Sequence, residues 1–304
     1  MGFLYMLEGL RNPVLDKLFA VLTYLGGEIV FVALAVIVYW CVSKKSGYYI
    51  IAAGVGGTVI NQVLKIFCAV PRPWVRDPNF TIVESARAEA TGYSFPSGHS
   101  QNSAVSMGGL AMSVKKTWLR WLCWVLVALV CLSRMYLGVH TPADVLVGLG
   151  TGLVLVFGLW PLFQASEEKP GIITAVYAVI TAVALAGVLF VQLHAWPADI
   201  DQENLAEAGK NTYTMLGIAA AVLVAAPIER RYIDFKTEAP LKVQVLKCAL
   251  GLALVVGLRV ALKALLKVLM GGNPAADAVR YFIIVVFAML VWPLTFRRFS
   301  GEGK

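Results

Sequence analysis

The sequence predicts an all-α protein, a polytopic bundle of membrane helices. Three observations lead there. The 304 residues are 59% hydrophobic and 14% charged, against about 25% charged in a typical soluble domain. The mean hydropathy is +0.75. The apolar residues are gathered into runs of helix-spanning length with charges at their ends, which a bilayer can accommodate and a soluble core cannot.

The first element is short and mixed. Phe3, Leu7 and Leu10 recur at helical spacing, and Val14, Leu15, Leu18 and Leu22 follow Pro13. Arg11, Asp16 and Lys17 interrupt the run, so residues 1–27 read as an amphipathic interfacial helix. No cleavable leader is expected, because Arg11 comes after an apolar start and not before it. Gly26 and Gly27 separate this element from nine expected spans, at residues 28–42, 48–67, 97–114, 118–132, 142–163, 171–193, 211–228, 241–270 and 279–296. The first is short for a crossing and can be extended back toward Phe19. The eighth is long and polar in its second half.

Charge orders these spans. Lys44, Lys45, Lys115, Lys116, Arg120, Arg230, Arg231, Lys236, Arg297 and Arg298 fall on one side, with the non-basic link 164–169. Asp199, Asp201, Glu203, Glu207 and the loop 71–95 fall on the other. The positive-inside rule places the first set in the cytoplasm and the loop outside. It also gives the net charge of +8 an explanation that needs no nucleic acid. Cys41, Cys68, Cys123, Cys131 and Cys248 lie apart in or beside apolar runs, and read as small buried hydrophobes.

Alternating span direction brings three short motifs to the outer face: Lys65 to Pro73, Pro96 to His99, and Ser133 to Asp144. Lys65, Arg72 and Arg134 are cations beside apolar helices. Each alone could snorkel to the interface; three together with two histidines favour an oxyanion cage, for which arginine supplies planar forked donors. Ser97 and Gly98 open a helix whose first N–H groups can receive an anion, and Ser97 can equally be an ordinary cap. His99 and His140 are two of only three histidines and suit acid–base or nucleophilic work. Asp144, four residues after His140, can fix its tautomer. It can instead close a capping box with Thr141, Pro142 taking the first helical position.

Together these residues resemble the phosphatidic acid phosphatase type 2 superfamily. The pattern K-x6-R-P, P-S-G-H and S-R-x5-H-x3-D is present in order, with every fixed position unaltered. The resemblance covers roughly residues 3–163. It implies a catalytic transmembrane core at 28–165 and four extra spans at 166–304 whose role it does not assign. It implies that His140 attacks phosphorus to give a phosphohistidine, that Asp144 orients it, and that His99 protonates the leaving oxygen and then assists water. Lys65, Arg72, Ser97, Gly98 and Arg134 would hold the phosphoryl oxygens, without metal or other cofactor. The expected activity is hydrolysis of a membrane lipid phosphate or diphosphate. Undecaprenyl diphosphate leads, because the site faces outward from what would be a bacterial plasma membrane. Phosphatidic acid, phosphatidylglycerol phosphate and sphingoid-base phosphates are the other candidates. A lipid phosphotransferase, or a transporter or scaffold reusing the fold, are the alternatives. The sequence carries no signal of oligomeric state.

One feature of the eighth span lies outside this pattern. Arg259, Lys263 and Lys267 share a helical face. They either snorkel to headgroups or face the core and recruit anionic lipid.

Overall fold

In the computed structural model, which describes residues 1–296, every regular element is a helix. Arg297 and Arg298 of the basic set lie outside the described residues. Two short helices, α1 (Gly2–Glu8) and α2 (Pro13–Thr23), precede α3 (Glu28–Cys41) and α4 (Lys44–Cys68). A single turn, α5 (Pro73–Arg76), leads through a loop to α6 (Gly98–Ser103) and α7 (Gly109–Ser113), joined by a π turn at Ala104–Gly108. Then come α8 (Thr117–Tyr136), α9 (Pro142–Ala165), α10 (Gly171–Leu193), α11 (Gln202–Ile228), α12 (Leu241–Met270), α13 (Ala275–Val286) and α14 (Trp292–Leu294).

Seven of the described helices are long and apolar enough to cross a bilayer, and an eighth crossing can be made from α2 and α3, bent by 46° between them. The third of the nine expected spans is not among them. Residues 98–113 are helical as expected, but cover only about 24 Å at 1.5 Å per residue. They also carry Ser100, Gln101, Asn102, Ser103 and Ser106, all buried. Such a helix is a polar-faced element of the protein interior. The first expected span is one arm of the bent pair, continuous with the N-terminal element that the sequence assigns to the interface.

The chain divides into two compact units, with boundaries inside α3, α4, α9 and α11. The first contains residues 1–34, 56–160 and 195–208 and holds all three motifs. Its core runs along α6, α7 and α8, where Ala104, Met107, Ala111, Cys123, Val127, Cys131 and Val145 are buried together.

The second unit contains residues 35–55, 161–194 and 209–304. Its polar centre is Glu229, fully buried, which accepts from Lys44 Nζ at 3.2 Å and from Tyr48 Oη at 2.5 Å. Lys44 also pairs with Asp234. A charge this deep is tolerable only when paired and hydrogen-bonded in this way. On α12, Arg259, Lys263 and Lys267 are all exposed. The stripe therefore points away from the helices packed beside it, and the reading in which it faces the core is corrected. Long basic side chains at an exposed helix end place their charge at headgroup level.

Candidate active site

The first motif lies where α4 ends. Lys65 is on its last turn, and Arg72 sits between Pro71 and Pro73 with extended backbone (φ −63°, ψ 154°). The following proline imposes that conformation, since its ring disfavours helical geometry at the residue before it. Arg72 is thereby turned inward and is 6% exposed. Its guanidinium donates to Thr91 O at 2.5 Å, Gly92 O at 3.0 Å and Val139 O at 3.0 Å. Lys65 Nζ donates to Tyr93 O at 2.5 Å. Three successive carbonyls, 91 to 93, thus hold the two cations in place.

The second motif opens α6. Ser97 is extended (φ −70°, ψ 112°) and fully buried. Its Oγ accepts from Ser100 Oγ at 2.9 Å and from Ser100 N at 3.4 Å, so the cap anticipated from sequence is formed. Ser97 N donates to Asp144 O at 2.9 Å, tying this motif to the third. Gly148, in the second turn of α9, makes that approach possible. A Cβ there would collide with the Ser97 carbonyl oxygen, so backbone meets backbone. Gly98 is the first residue of α6.

The third motif is braced from the N-terminal helices. Tyr136 packs against Phe19 with ring centroids 4.3 Å apart and donates to Asp16 Oδ1 at 2.8 Å. Arg11 Nε donates to Tyr136 O at 3.1 Å. Arg134, 1% exposed, donates from Nη1 to Thr23 Oγ1 at 2.7 Å, while its Nε has no hydrogen-bond partner. That buried, unsatisfied donor is a place for an anion's oxygen.

His140 is 2% exposed. Its Nε2 lies 3.0 Å from Arg72 Nη1. Guanidinium N–H groups only donate, so Nε2 must accept and the ring proton belongs on Nδ1. Nδ1 has no hydrogen-bond partner and faces Asp144 Oδ2 at 3.6 Å. Asp144 also completes the capping box, accepting from Thr141 N at 2.8 Å while its own N–H donates to Thr141 Oγ1 at 3.3 Å. Ser94 Oγ donates to the same carboxylate at 2.6 Å. One aspartate therefore caps α9, holds the 91–94 segment and faces the histidine.

Burial holds the His140 imidazolium well below the ordinary histidine range, and the charges of Arg72, Arg134 and Lys65 push the same way. The imidazole is neutral where an unhindered histidine would be half protonated. If Nε2 is a nucleophile, the acid limb of kcat/KM falls below pH 6.5. Measuring kcat/KM between pH 4.5 and 9 checks this; an acid limb at or above 6.5 would contradict it.

His99, on the first turn of α6, directs Nε2 toward Glu89 Oε2 at 3.4 Å, without a hydrogen bond. The charges of Arg134, Arg72 and Lys65 reach it as well. The structure brings every motif side chain into the first unit. Arg72 and His140 touch directly; Lys65 joins them through the 91–93 carbonyls. Sequence reasoning missed Thr23, Glu89 and Ser94, and the nearness of Glu207. Among the described residues no group of three or more His, Cys, Asp or Glu side chains could hold a metal ion.

Residues 44–168 match the PAP2 superfamily, and residues 213–304 match the transmembrane extension of PAP2 superfamily phosphatases. Phosphatidylglycerophosphatase B of Bacillus subtilis (strain 168) is 30% identical over 173 residues, 53% of this chain and 79% of the relative. Undecaprenyl-diphosphatase BcrC of the same organism is 31% identical over 152 residues, 48% of this chain and 74% of the relative. Lipid A 4'-phosphatase of Porphyromonas gingivalis is 25% identical over 186 residues, 57% of this chain and 78% of the relative. No solved structure matches.

Proposed function

The chain belongs to the PAP2 superfamily, and on that premise we propose that it is a multi-pass membrane lipid phosphatase working through a phosphohistidine on His140. The observation that carries the mechanism is the 3.0 Å approach of Arg72 Nη1 to His140 Nε2. It marks a neutral nitrogen whose lone pair looks into a cage of three cations.

The chemistry follows from the placement. A phosphoryl group displaces the Arg72 N–H from Nε2 and takes the donors of Arg72, Lys65 and Arg134 onto its oxygens. The Nε2 lone pair forms the N–P bond as the P–O bond to the lipid breaks. The bound phosphoryl anion offsets the charges of the cage, so that His99 takes up a proton and gives it to the departing lipid oxygen. Asp144 stabilises the positive charge left on the His140 ring. Water then attacks the phosphohistidine, His99 takes its proton, the N–P bond breaks and orthophosphate leaves. Positioning and charge do most of the work, as phosphoryl transfer requires.

Undecaprenyl diphosphate is the leading substrate. The name of one relative supports it, and so does the outward placement of the site by the positive-inside rule. Phosphatidylglycerol phosphate is supported by another relative's name; phosphatidic acid and sphingoid-base phosphates fit the same cage. A panel of these lipids, read by phosphate release from purified protein, tests the reading. Transfer of the phosphoryl group to an added alcohol, with no free phosphate, would replace hydrolysis by phosphotransfer.

The extracytoplasmic location is tested separately. With Cys68 replaced by serine, a cysteine at Asn79 is expected to react with an impermeant maleimide in intact cells, and one at Lys116 is not. The reverse pattern would place the site on the cytoplasmic leaflet and remove undecaprenyl diphosphate recycling.

A further inference from the structure

We propose that Glu207 is a phosphate-release residue, a counter-charge built beside the cage that keeps orthophosphate from binding too tightly. The inference deepens the phosphatase reading and rests on it.

Glu207 lies in neither stretch that matches the family, one ending at 168 and the other beginning at 213. Yet residues 195–208 return to the catalytic unit, and they bring the second turn of α11 to the 91–93 segment. Gly92 has φ +63°, and a Cβ added to it would stand 3.5 Å from Glu207 Oε2. The carboxylate therefore rests directly on the residue whose carbonyl receives Arg72 Nε. Thr91 O and Tyr93 O, on either side, receive Arg72 Nη2 and Lys65 Nζ. The charge of Glu207 reaches both Lys65 and Arg72. Gly92 itself has a left-handed backbone, which suits glycine.

A cage of Lys65, Arg72 and Arg134 has an inherent problem. The product of the reaction, orthophosphate, is as good an anion for it as the substrate, and lacks only the lipid tail. Binding that is equally strong for every phosphate slows release without helping the chemical step. A carboxylate just behind two of the three cations weakens them as anion hosts. It does so without occupying the phosphate position, because it acts across the 91–93 backbone. The charge of Asp144 also reaches Lys65 and Arg72, but that carboxylate is committed to the His140 ring and the cap of α9.

The prediction has a sign that structural damage would not imitate. In the purified full chain, Glu207→Gln should bind inorganic phosphate about three- to tenfold more tightly than the parent, by calorimetry or ligand-induced thermal shift. The inhibition constant of orthophosphate in lipid turnover should fall by the same factor. Glu207→Asp, which keeps the charge, should stay within about twofold of the parent. A misfolded variant would bind more weakly, so tightening identifies the charge. Unchanged or weaker phosphate binding in Glu207→Gln would overturn the proposal, and so would a Glu207→Asp variant that behaves like it. If the parent releases phosphate from no lipid, the hydrolase reading fails while the binding measurement still decides the role of Glu207.

Discussion

His140→Ala is expected to lose phosphate release by on the order of 10⁴-fold or more, together with any trappable phosphoenzyme. His140 Nε2 is held against Arg72, whereas His99 Nε2 faces a carboxylate and His194 lies at the end of α10. The remaining cage can still bind a phosphate ester, so KM should change far less than kcat. Rapid quench with labelled substrate, followed by alkaline-stable phosphopeptide mapping, reads the intermediate directly. Label on any residue other than His140 would remove the mechanism. Retained phosphate release in a folded His140→Ala protein would favour the transporter or scaffold reading.

Arg72→Lys should cost about 10²–10³ in kcat/KM, the usual scale for losing an oriented donor to a developing charge, and should destabilise the protein as well. Arg72 reaches three carbonyls and His140 through one planar fork. A lysine ammonium keeps the charge but cannot span those directions. Each buried carbonyl left without its donor costs about 1–3 kcal/mol. Thermal unfolding measures the second effect and steady-state kinetics the first. A lysine variant within about threefold of the parent in kcat/KM would mean that charge alone suffices and that the fork is dispensable.

Much of this site was legible in the sequence because its residues sit at fixed distances from helix ends. Arg72 is pinned by the prolines on either side of it, Ser97 by its cap, and Asp144 by the turn that starts α9. The fold brings all three into one compact unit. What could not be read comes from contacts between segments far apart in the chain. Nothing local marks Thr23 as the partner of Arg134, or Glu89 as the neighbour of His99. Nor does any local signal bring Glu207 back to Gly92. Nor does the sequence show that residues 98–113 are kept from lipid. Their small polar residues raise no alarm in an averaged hydropathy, yet Gln101, which accepts from Asn61 Nδ2 at 2.9 Å, belongs to a buried network and not to lipid. The α12 stripe shows the converse: its periodicity is plain in the sequence, but which way the face turns is decided by packing.

The return of residues 195–208 bears on how the enzyme can be dissected. A chain cut after residue 168 would keep every motif position and the whole of the first family match. It would still lose a piece of the catalytic unit, the one that carries Glu207. The stretch that sequence comparison delimits and the stretch that folds around the chemistry are different objects. A minimal version of this enzyme is better sought by keeping the chain through residue 208, α10 included, than by trimming at the edge of the match.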